Sequence, residues 1–566
     1  MNENLTNNVS DSRNQINTQF NVNTAPGGVN INLNPKKVNP FTMVEFTKKD
    51  LIGLAVSGVL IFFVSYLGII NFFNFGFSVT MGVFTVFTYF YLYKKQGKSK
   101  FFNIFSLIST LLLISSFSLN NDGVIKFVSM LYLVFLLVIT FSGVSDSNKD
   151  SDSNYNWFLG AFIKPAFSAF SNIISPFMSA KNSMKNGKGK NVSSVLIGVL
   201  VAIPVLFVIV PLLSSSDIAF EAVISKIFKN TSLIILALVI TAILLPVFYS
   251  LIFYLEKSSL VEVESKKKKI SKISVVGMNS FLISISVVYL FYLFTQLAYI
   301  IDAFSFVLPD DYTAAEFARS GFFQMAVIVF INFVILGVTA IKVKREHFKL
   351  PISTKSVLLF ISCFTIFYIS TAIIKMAKYI SLYGLTRLRV LTSVFMIMLA
   401  VIFVIIILKL LFEKLKYVKP IIIVCTLTLL SVSMVNINTV IAEYNYRAYK
   451  EDKIKIDIEQ IDSLGISAIP VLTKLVDDEN YEVSFKAKEA LYSTSVYIYY
   501  SPFSANPNDT EIAKDTVFEY NKTWIESKNA VDEFKKSHPK FNNATFNAES
   551  NKYYGIDDDN FSEDLY

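Results

Sequence analysis

Residues 390–412 read VLTSVFMIMLAVIFVIIILKLLF, and this stretch decides the class of fold. Seventeen of its 23 residues are Leu, Ile, Val or Phe, and each such residue favours membrane insertion by about 0.3 to 0.6 kcal/mol. A helix of this length rises about 1.5 Å per residue and crosses the roughly 30 Å of hydrocarbon in a bilayer. Lys409, near the end, can extend its ammonium to the aqueous boundary. We therefore predict a membrane-spanning helix here.

Ten further blocks of comparable apolarity occur along the 566-residue chain, which is 53% hydrophobic and 17% charged and has a mean hydropathy of +0.51. A soluble domain carries about a quarter charged residues and buries its apolar share in one core. We predict an all-α fold, a polytopic transmembrane helix bundle of about eleven spans within a range of ten to twelve. The predicted spans are 51–73, 76–93, 101–119, 124–144, 192–214, 232–255, 275–300, 322–341, 356–376, 390–412 and 421–441.

Polar segments flank this bundle. Residues 1–48 are Asn-rich and too polar to bury a core, so we predict a disordered cytoplasmic tail. Residues 49–442 would form the transmembrane bundle. Residues 443–566 would form a small α-helical extracytoplasmic domain with an acidic tail. Within it, 466–491 has the pattern of a helical hairpin, and a further helix is predicted within 512–537.

Lys and Arg residues gather on alternate sides of the predicted spans. With the N-terminus in the cytoplasm, 29 of them lie on cytoplasmic flanks and 8 on outer flanks, in the sense that the positive-inside rule requires. Residues 1–442 carry a net charge of +19 and residues 443–566 one of −10. The overall balance of +9 then reflects loops that face anionic lipid rather than nucleic acid. We predict a cytoplasmic N-terminus, an extracytoplasmic C-terminus and no nucleic-acid partner.

Two segments are predicted to lie on the membrane rather than to cross it. Near 155–185, aromatic residues at roughly helical spacing precede a cluster of lysines, which suits an interfacial helix on an anionic leaflet. A lid that packs against the bundle fits this pattern equally well, and both interpretations stay open. Near 216–230, apolar residues share one helical face, which predicts a short amphipathic helix at the outer surface.

The polar residues count against several kinds of site. The predicted spans contain no Asp or Glu, and a proton-coupled pump usually needs an intramembrane carboxylate. The chain has two Cys and two His, which gives no metal-binding constellation, and no cofactor motif is present. We therefore predict no metal centre built on His or Cys and no cofactor, and an all-carboxylate magnesium or calcium site stays open. The polar residues of the spans are amides, which more often join helices than line a path: Asn279, Gln296, Gln324, Asn332, Asn436 and Asn438.

Three polar strings mark the predicted outer ends of the last five spans. They are EFARSGFF at 316–323, YGLTRLR at 383–389 and NINTVIAEYN at 436–445. In these strings and their order the chain resembles the bacterial multi-spanning family known as domain of unknown function 4173, and the related 4153 type. The resemblance covers roughly 190–470, and it extends more loosely from residue 51. It implies an integral protein of the bacterial plasma membrane and no established activity.

The candidate ligand-binding residues form one predicted outer-face cluster: Glu316, Arg319, Tyr383, Gly384, Thr386, Arg387, Arg389, Asn436 and Asn438. Gly384 permits a positive φ, so we expect a sharp turn before the tenth span. Two interpretations of Arg387 and Arg389 stay open. Either they pair with outer carboxylates and close the bundle, or they bind an anionic lipid headgroup or an envelope polymer phosphate. The carboxylates considered for the first interpretation are Asp310, Asp311 and Glu316.

Three functions follow from these patterns. The chain has no recognisable catalytic constellation but a sizeable exposed domain, which favours a non-enzymatic cell-envelope scaffold or sensor whose outer face binds a ligand or partner. The helix count also permits a transporter, channel or lipid flippase. A third function is that of a lipid-linked transferase using Asp310 and Asp311, because such enzymes keep acid–base or metal-binding carboxylates in outer loops. The expected partners are the lipid bilayer and an anionic lipid or envelope polymer.

Overall fold

The computed structural model describes residues 39–70, 74–93, 100–120, 122–145, 154–183, 215–258, 260–261, 272–303, 314–344, 350–499 and 521–539, together with Ile209, Leu212 and Leu213. Residues Met1–Pro40 and Phe41–Tyr566 form separate compact units. Of the first unit only Asn39 and Pro40 are described, so the predicted tail lies almost wholly outside the described residues.

The described residues fold almost entirely into helices, and the extended pairing among them is an isolated bridge between Ile273 and Val343. Short 3-10 turns lie at Pro40–Met43 and Gly465–Ala468, and a π turn lies at Leu159–Ile163. The helices are α1 (Lys48–Ile70), α2 (Phe75–Leu92), α3 (Lys100–Ser116), α4 (Gly123–Val144), α5 (Asn154–Phe158), α6 (Lys164–Ser171), α7 (Ser175–Ser183), α8 (Ile218–Lys257), α9 (Val275–Ala303), α10 (Ala314–Lys342), α11 (Ile352–Tyr383), α12 (Arg387–Leu411), α13 (Val418–Met434), α14 (Ile437–Lys450), α15 (Ile458–Asp462), α16 (Ile469–Leu475), α17 (Tyr481–Tyr499) and α18 (Lys522–Ser537).

Among the described helices, eight are long and apolar enough to cross a membrane, or ten if each of two bent pairs counts as one span. The all-α class and the multi-pass bundle are therefore confirmed. Helix α3 covers the third predicted span but has only 17 residues. The fifth predicted span, 192–214, lies outside the described residues except at three positions. The count of eleven stays a prediction.

Helices α1–α4 and α8 form a first helix group with its own core. Phe77, Phe84, Leu133 and Phe141 are almost completely buried in it. Helix α1 packs against both α2 and α8, and α3 packs against α4. Other apolar side chains of these helices remain exposed, as expected where a helix faces hydrocarbon rather than another helix.

Helices α9–α12 form a second helix group around a separate core. Leu282, Met325 and Phe403 are fully buried there, and the ring of Tyr289 stacks on Phe364 with a centroid separation of 4.1 Å. Helix α12 also packs against α13, and α13 packs against α3 and α4. The helix pair α12 and α13 therefore joins the two groups.

The last predicted span, 421–441, is not one straight helix. Helix α13 ends at Met434, and α14 begins at Ile437 with a change of direction of 66°. Asn436 caps α14, because its side chain accepts the Thr439 N–H at 3.3 Å and so satisfies a donor that the helix leaves open. The region of the predicted span is therefore two helices separated by a break, at which the capping Asn436 starts a new helix.

Two surface segments differ from the simple pattern of predicted elements. Residues 218–230 are not a separate short helix but the first part of the 40-residue helix α8. In the region 155–185, helices α6 and α7 meet at a bend of 65°. One face of this region packs on the bundle, where the ring centroids of Phe162 and Phe135 are 4.7 Å apart. On the other face, Phe167 and Phe170 are 73% and 68% exposed. The region therefore has both a face packed on the bundle and an exposed aromatic face, and the contact of the second face with lipid stays a prediction.

The C-terminal layer consists of residues 437–499 and 521–539, the helices α14–α18. The predicted hairpin is present as α16 and α17, which pack together. Ile461, Ile469 and Leu472 are completely buried in the core of the layer. That core continues into the ends of α4, α12 and α13 and includes Ile125. The C-terminal layer covers this end of the bundle, which we call the layer face.

Candidate functional site

A sharp turn joins α11 to α12 at the layer face. Gly384 adopts a φ of +73°, and its N–H donates to the Ile380 carbonyl at 2.8 Å. The prediction of a positive φ is confirmed. A Cβ at this position would lie 2.5 Å from Asn445 Oδ1, so the turn has no room for a larger residue. Glycine is required here by conformation and by space.

Asn445 of α14 holds this turn with two hydrogen bonds. Its Oδ1 accepts the Leu385 N–H at 2.7 Å, and its Nδ2 donates to the Leu385 carbonyl at 2.8 Å. Gln460 donates to the same carbonyl at 2.6 Å. These bonds satisfy the backbone N–H and carbonyl of Leu385, and they attach the turn to the C-terminal layer.

Arg389 holds the turn from the other side. Its Nη1 donates to the carbonyls of Tyr383 and Gly384 at 2.8 and 2.6 Å, and its guanidinium lies 4.0 Å from the Tyr379 ring centroid. Stacked and hydrogen-bonded in this way, the guanidinium supports the end of α11. Thr386 caps α12 by accepting the Arg389 N–H at 3.3 Å.

Arg387 pairs with Asp122, a residue that the sequence did not suggest. The Arg387 Nε lies 3.1 Å from Asp122 Oδ2 and 3.3 Å from Asn438 Oδ1, and Asn438 Nδ2 donates to Asp122 Oδ2 at 3.2 Å. The Asp122 side chain is 2% exposed and the Arg387 side chain 35%. This triad joins α12 of the second helix group, α4 of the first group and α14 of the layer.

Asp122 also begins α4. Its Oδ1 accepts the N–H groups of Val124 and Ile125 at 2.9 and 3.0 Å. An Asp directly before an apolar run is a recognised helix-start signal. That signal could have marked Asp122 as buried at a helix end, although it could not have named Arg387 as its partner.

The remaining amides connect the layer to the loop before α4. Asn436 Nδ2 donates to Thr523 Oγ1 at 2.9 Å, and the Thr523 hydroxyl donates to the Leu119 carbonyl at 3.1 Å. Asn521 Nδ2 donates to the Asn120 carbonyl at 3.2 Å. The structure therefore brings together seven of the nine candidate residues, from Tyr383 to Asn438, as one polar joint.

The other two candidates cannot be assigned to this joint. Glu316 and Arg319 belong to α10, but their side chains lie outside the described part of the chain, as do Asp310 and Asp311. The carboxylate that the structure shows beside Arg387 is Asp122 instead.

A second polar cluster lies at the opposite face of the bundle, where α1 and α8 meet. Lys257 Nζ lies 2.9 Å from Asp50 Oδ2, and both side chains are buried. Tyr249 donates to the Asp50 carbonyl at 2.5 Å, and Lys49 pairs with Glu256 at 2.8 Å. Helices α1 and α8 extend beyond the predicted spans 51–73 and 232–255, so Asp50 and Glu256 lie at the ends of the candidate spans and outside the spans as predicted.

Two amides of the second helix group bond to neighbouring helices. Asn332 accepts from the Tyr289 hydroxyl at 2.6 Å and donates to Thr365 at 2.9 Å. Asn279 donates to Ser353 and accepts from Thr354. These amides join α9, α10 and α11. The Gln296 side chain lies outside the described residues.

A Ser–His–Asp series occurs on the layer surface. His538 Nδ1 lies 2.9 Å from Ser537 Oγ, and His538 Nε2 lies 3.2 Å from Asp477 Oδ1. The Ser537 hydroxyl, however, donates to the Phe534 carbonyl at 2.9 Å, as serines at helix ends commonly do. A hydroxyl used in this way is not prepared for nucleophilic attack.

Comparison with known proteins adds a family but no activity. A family model described as "Domain of unknown function (DUF4153)" matches residues 51–475, about three quarters of the chain. Neither the curated proteins nor the solved structures contain a match. Within the described residues, no three His, Cys, Asp or Glu side chains are grouped to hold a metal ion. The closer relation to type 4173 stays a prediction. Since the matched region runs from the first helix through the turn at Gly384 into the C-terminal layer, this chain belongs to the DUF4153 family of integral membrane proteins, whose activity is unknown.

Proposed function

We propose that this protein is a non-enzymatic scaffold or sensor of the bacterial cell envelope, in which the C-terminal layer binds a ligand or partner outside the plasma membrane. The observation that carries the proposal is the triad of Asp122, Arg387 and Asn438. It connects the layer to one helix from each of the two helix groups.

The apolar contacts follow the same route as the triad. Ile125 of α4 and Val432 of α13 share a core with Ile441 of α14 and Leu472 of α16. A packed core transmits displacement because it has few voids in which to absorb it. A partner that shifts the layer would therefore shift the ends of α4 and α12 together, which is the coupling that a sensor needs.

The distribution of charge supports an outer position for the layer. The connections at the opposite face are rich in Lys, while residues 443–566 carry a net charge of −10. Arg387 is 35% exposed at the layer face, so an anionic group of a lipid or envelope polymer could reach its guanidinium. The amides Asn279 and Asn332 bond to neighbouring helices, which favours a scaffold over a transporter.

Complementation of a strain that lacks the protein tests the function. We expect Arg387→Gln and Asp122→Asn to lose resistance to osmotic and cell-wall stress at normal membrane abundance. Arg447→Gln is the matched control, because Arg447 lies on the layer surface with 71% of its side chain exposed. The double variant Asp310→Ala/Asp311→Ala should complement fully. If that double variant fails while Arg387→Gln complements, a transferase replaces the scaffold.

Cysteine labelling tests the orientation. In a background of Cys363→Ser and Cys425→Ser, a single cysteine replaces Ser493, which is exposed on α17. A membrane-impermeant maleimide should label Ser493→Cys in intact cells. Labelling that requires cell lysis would place the layer in the cytoplasm and remove the envelope proposal.

A further inference from the structure

A groove of about 810 Å³ runs between α2 and α3 in the surface of the first helix group. Its walls are almost wholly apolar, and Val79 and Val83 on its rim are 42% and 50% exposed. Both helices belong to the membrane bundle, so the groove opens toward hydrocarbon. Its lining includes Phe75, Val79, Gly82, Phe87, Leu111 and Ile114.

Small residues create this groove. A Cβ added at Gly82 would meet no atom within 4 Å, so the missing side chain leaves open space. Near the layer face the lining residues are Ser78 and Ser118, which bond to each other at 2.9 Å, and Ser78 also donates to the Ile114 carbonyl. These hydroxyls are satisfied within the protein. A ligand in the groove would therefore be bound by complementary shape and apolar contacts rather than by hydrogen bonds.

The length of the groove matches one lipid tail. From Phe75, at the layer face, to Phe87 the helix α2 rises about 18 Å. One leaflet of a roughly 30 Å hydrocarbon core is about 15 Å thick. An acyl chain of a lipid in that leaflet would therefore extend along the groove from its mouth to its inner end.

A cation lies near the start of α2, close to the layer-face end of the groove. Lys126 Nζ donates to Asn74 Oδ1 at 3.0 Å, and Asn74, at the N-terminal end of α2, directly precedes the lining residue Phe75. Lys126 is among the eight basic residues on the predicted outer flanks. A lysine ammonium at the depth of the lipid headgroups attracts anionic lipid.

We propose that this groove is a binding site for one anionic phospholipid of the leaflet at the layer face. One acyl chain occupies the space beside Gly82, and the phosphate lies at the ammonium of Lys126. The site is separate from the joint at Arg387, so it extends the proposed function without depending on it.

Photo-crosslinking of the purified full-length protein in nanodiscs tests the site. The probes are phosphatidylglycerol and phosphatidylcholine that carry a diazirine on one acyl chain, and the adducts are located by peptide mass spectrometry. Gly82→Leu fills the groove, and Gly337→Leu is its matched control, since Gly337 of α10 also has nothing within 4 Å. Both variants gain helix propensity, so neither change removes a favourable helix former.

We expect wild type and Gly337→Leu to carry adducts within 75–87 and 111–119, and Gly82→Leu to lose them. Lys126→Gln should lower the ratio of phosphatidylglycerol to phosphatidylcholine adducts about fivefold, whereas Lys375→Gln, on α11, should leave it unchanged. Equal labelling of Gly82→Leu and Gly337→Leu would show bulk lipid only and overturn the site. An unchanged lipid ratio in Lys126→Gln would overturn the headgroup contact and with it the proposal.

Discussion

At the scale of single residues, the turn before α12 shows how one glycine serves two requirements. Gly384 and Gly465 both have positive φ values, +73° and +63°. A Cβ at Gly465 would meet nothing within 4 Å, whereas at Gly384 it would collide with Asn445 and Ile454. Gly384 also has a ψ of −173°, and this combination with a positive φ is essentially confined to glycine. The two positions therefore differ both in steric room and in backbone strain.

Replacing each glycine by alanine should measure that difference. We expect Gly465→Ala to cost about 1 kcal/mol, because only the left-handed backbone is penalised. Gly384→Ala should cost at least about 2 to 3 kcal/mol, since the new methyl group must also displace the Asn445 amide that holds the turn. The midpoint of thermal unfolding in detergent reports both. Equal shifts would mean that the turn moves freely away from α14.

At the scale of helices, a buried ion pair joins α1 to α8. Asp50 is completely buried and accepts hydrogen bonds from Thr47 and Lys257. Lys49 and Glu256 form a second pair nearby, with side chains 55% and 10% exposed, whereas the side chains of Lys522 and Glu526 are both more than half exposed. Buried and exposed pairs differ mainly in the cost of the charge that is left when one partner is removed.

Substitutions at this pair test its role in holding the helices together. Asp50→Asn and Lys257→Met should each destabilise the bundle by about 3 to 5 kcal/mol, because each leaves an uncompensated buried charge. The double variant should lose less than the sum of the two. Lys522→Met, in the pair with Glu526 whose two side chains are more than half exposed, should cost no more than about 1 kcal/mol. Additive losses in the double variant, measured by thermal unfolding, would argue against direct coupling.

At the scale of the whole molecule, the C-terminal layer depends on contacts between distant segments. Lys450 at the end of α14 pairs with Asp478, in the loop between α16 and α17, at 2.7 Å. Burial raises the pKa of Asp478, but hydrogen bonds from Lys450, the Asn480 N–H and the Tyr449 hydroxyl outweigh burial and hold that pKa below its ordinary value. The ionised carboxylate thus stabilises the folded layer.

This shift predicts a loss of layer stability in acid. Because the folded pKa of Asp478 is depressed, its stabilisation is present above the unfolded pKa of about 3.9. It is lost as the pH falls below that value through the folded pKa. Hydrogen exchange in α16 and α17, divided by the intrinsic exchange rate at each pH, should therefore accelerate as the pH falls below about 4 in wild type. Asp478→Asn should already exchange faster at pH 6 and should show less acceleration in acid, and an unchanged profile would contradict the assignment.

The sequence alone was sufficient to predict the features that depend only on residues close together in the chain. An apolar run of sufficient length inserts as a helix whatever its neighbours are, so the stretch 390–412 and seven other spans were predictable. The turn at Gly384 was also predictable, because a glycine between two such helices permits a conformation that other residues resist.

Only the tertiary structure decided which polar residues meet. Arg387 pairs with Asp122 because α12 and α4 both begin beneath the C-terminal layer, and Asp50 is buried because α8 lies against α1. Hydropathy indicates which segments enter the membrane, but it contains no information about which helices become neighbours. The break at Asn436 likewise depends on Ser467 and Thr523, whose side chains bond to that amide from distant parts of the chain.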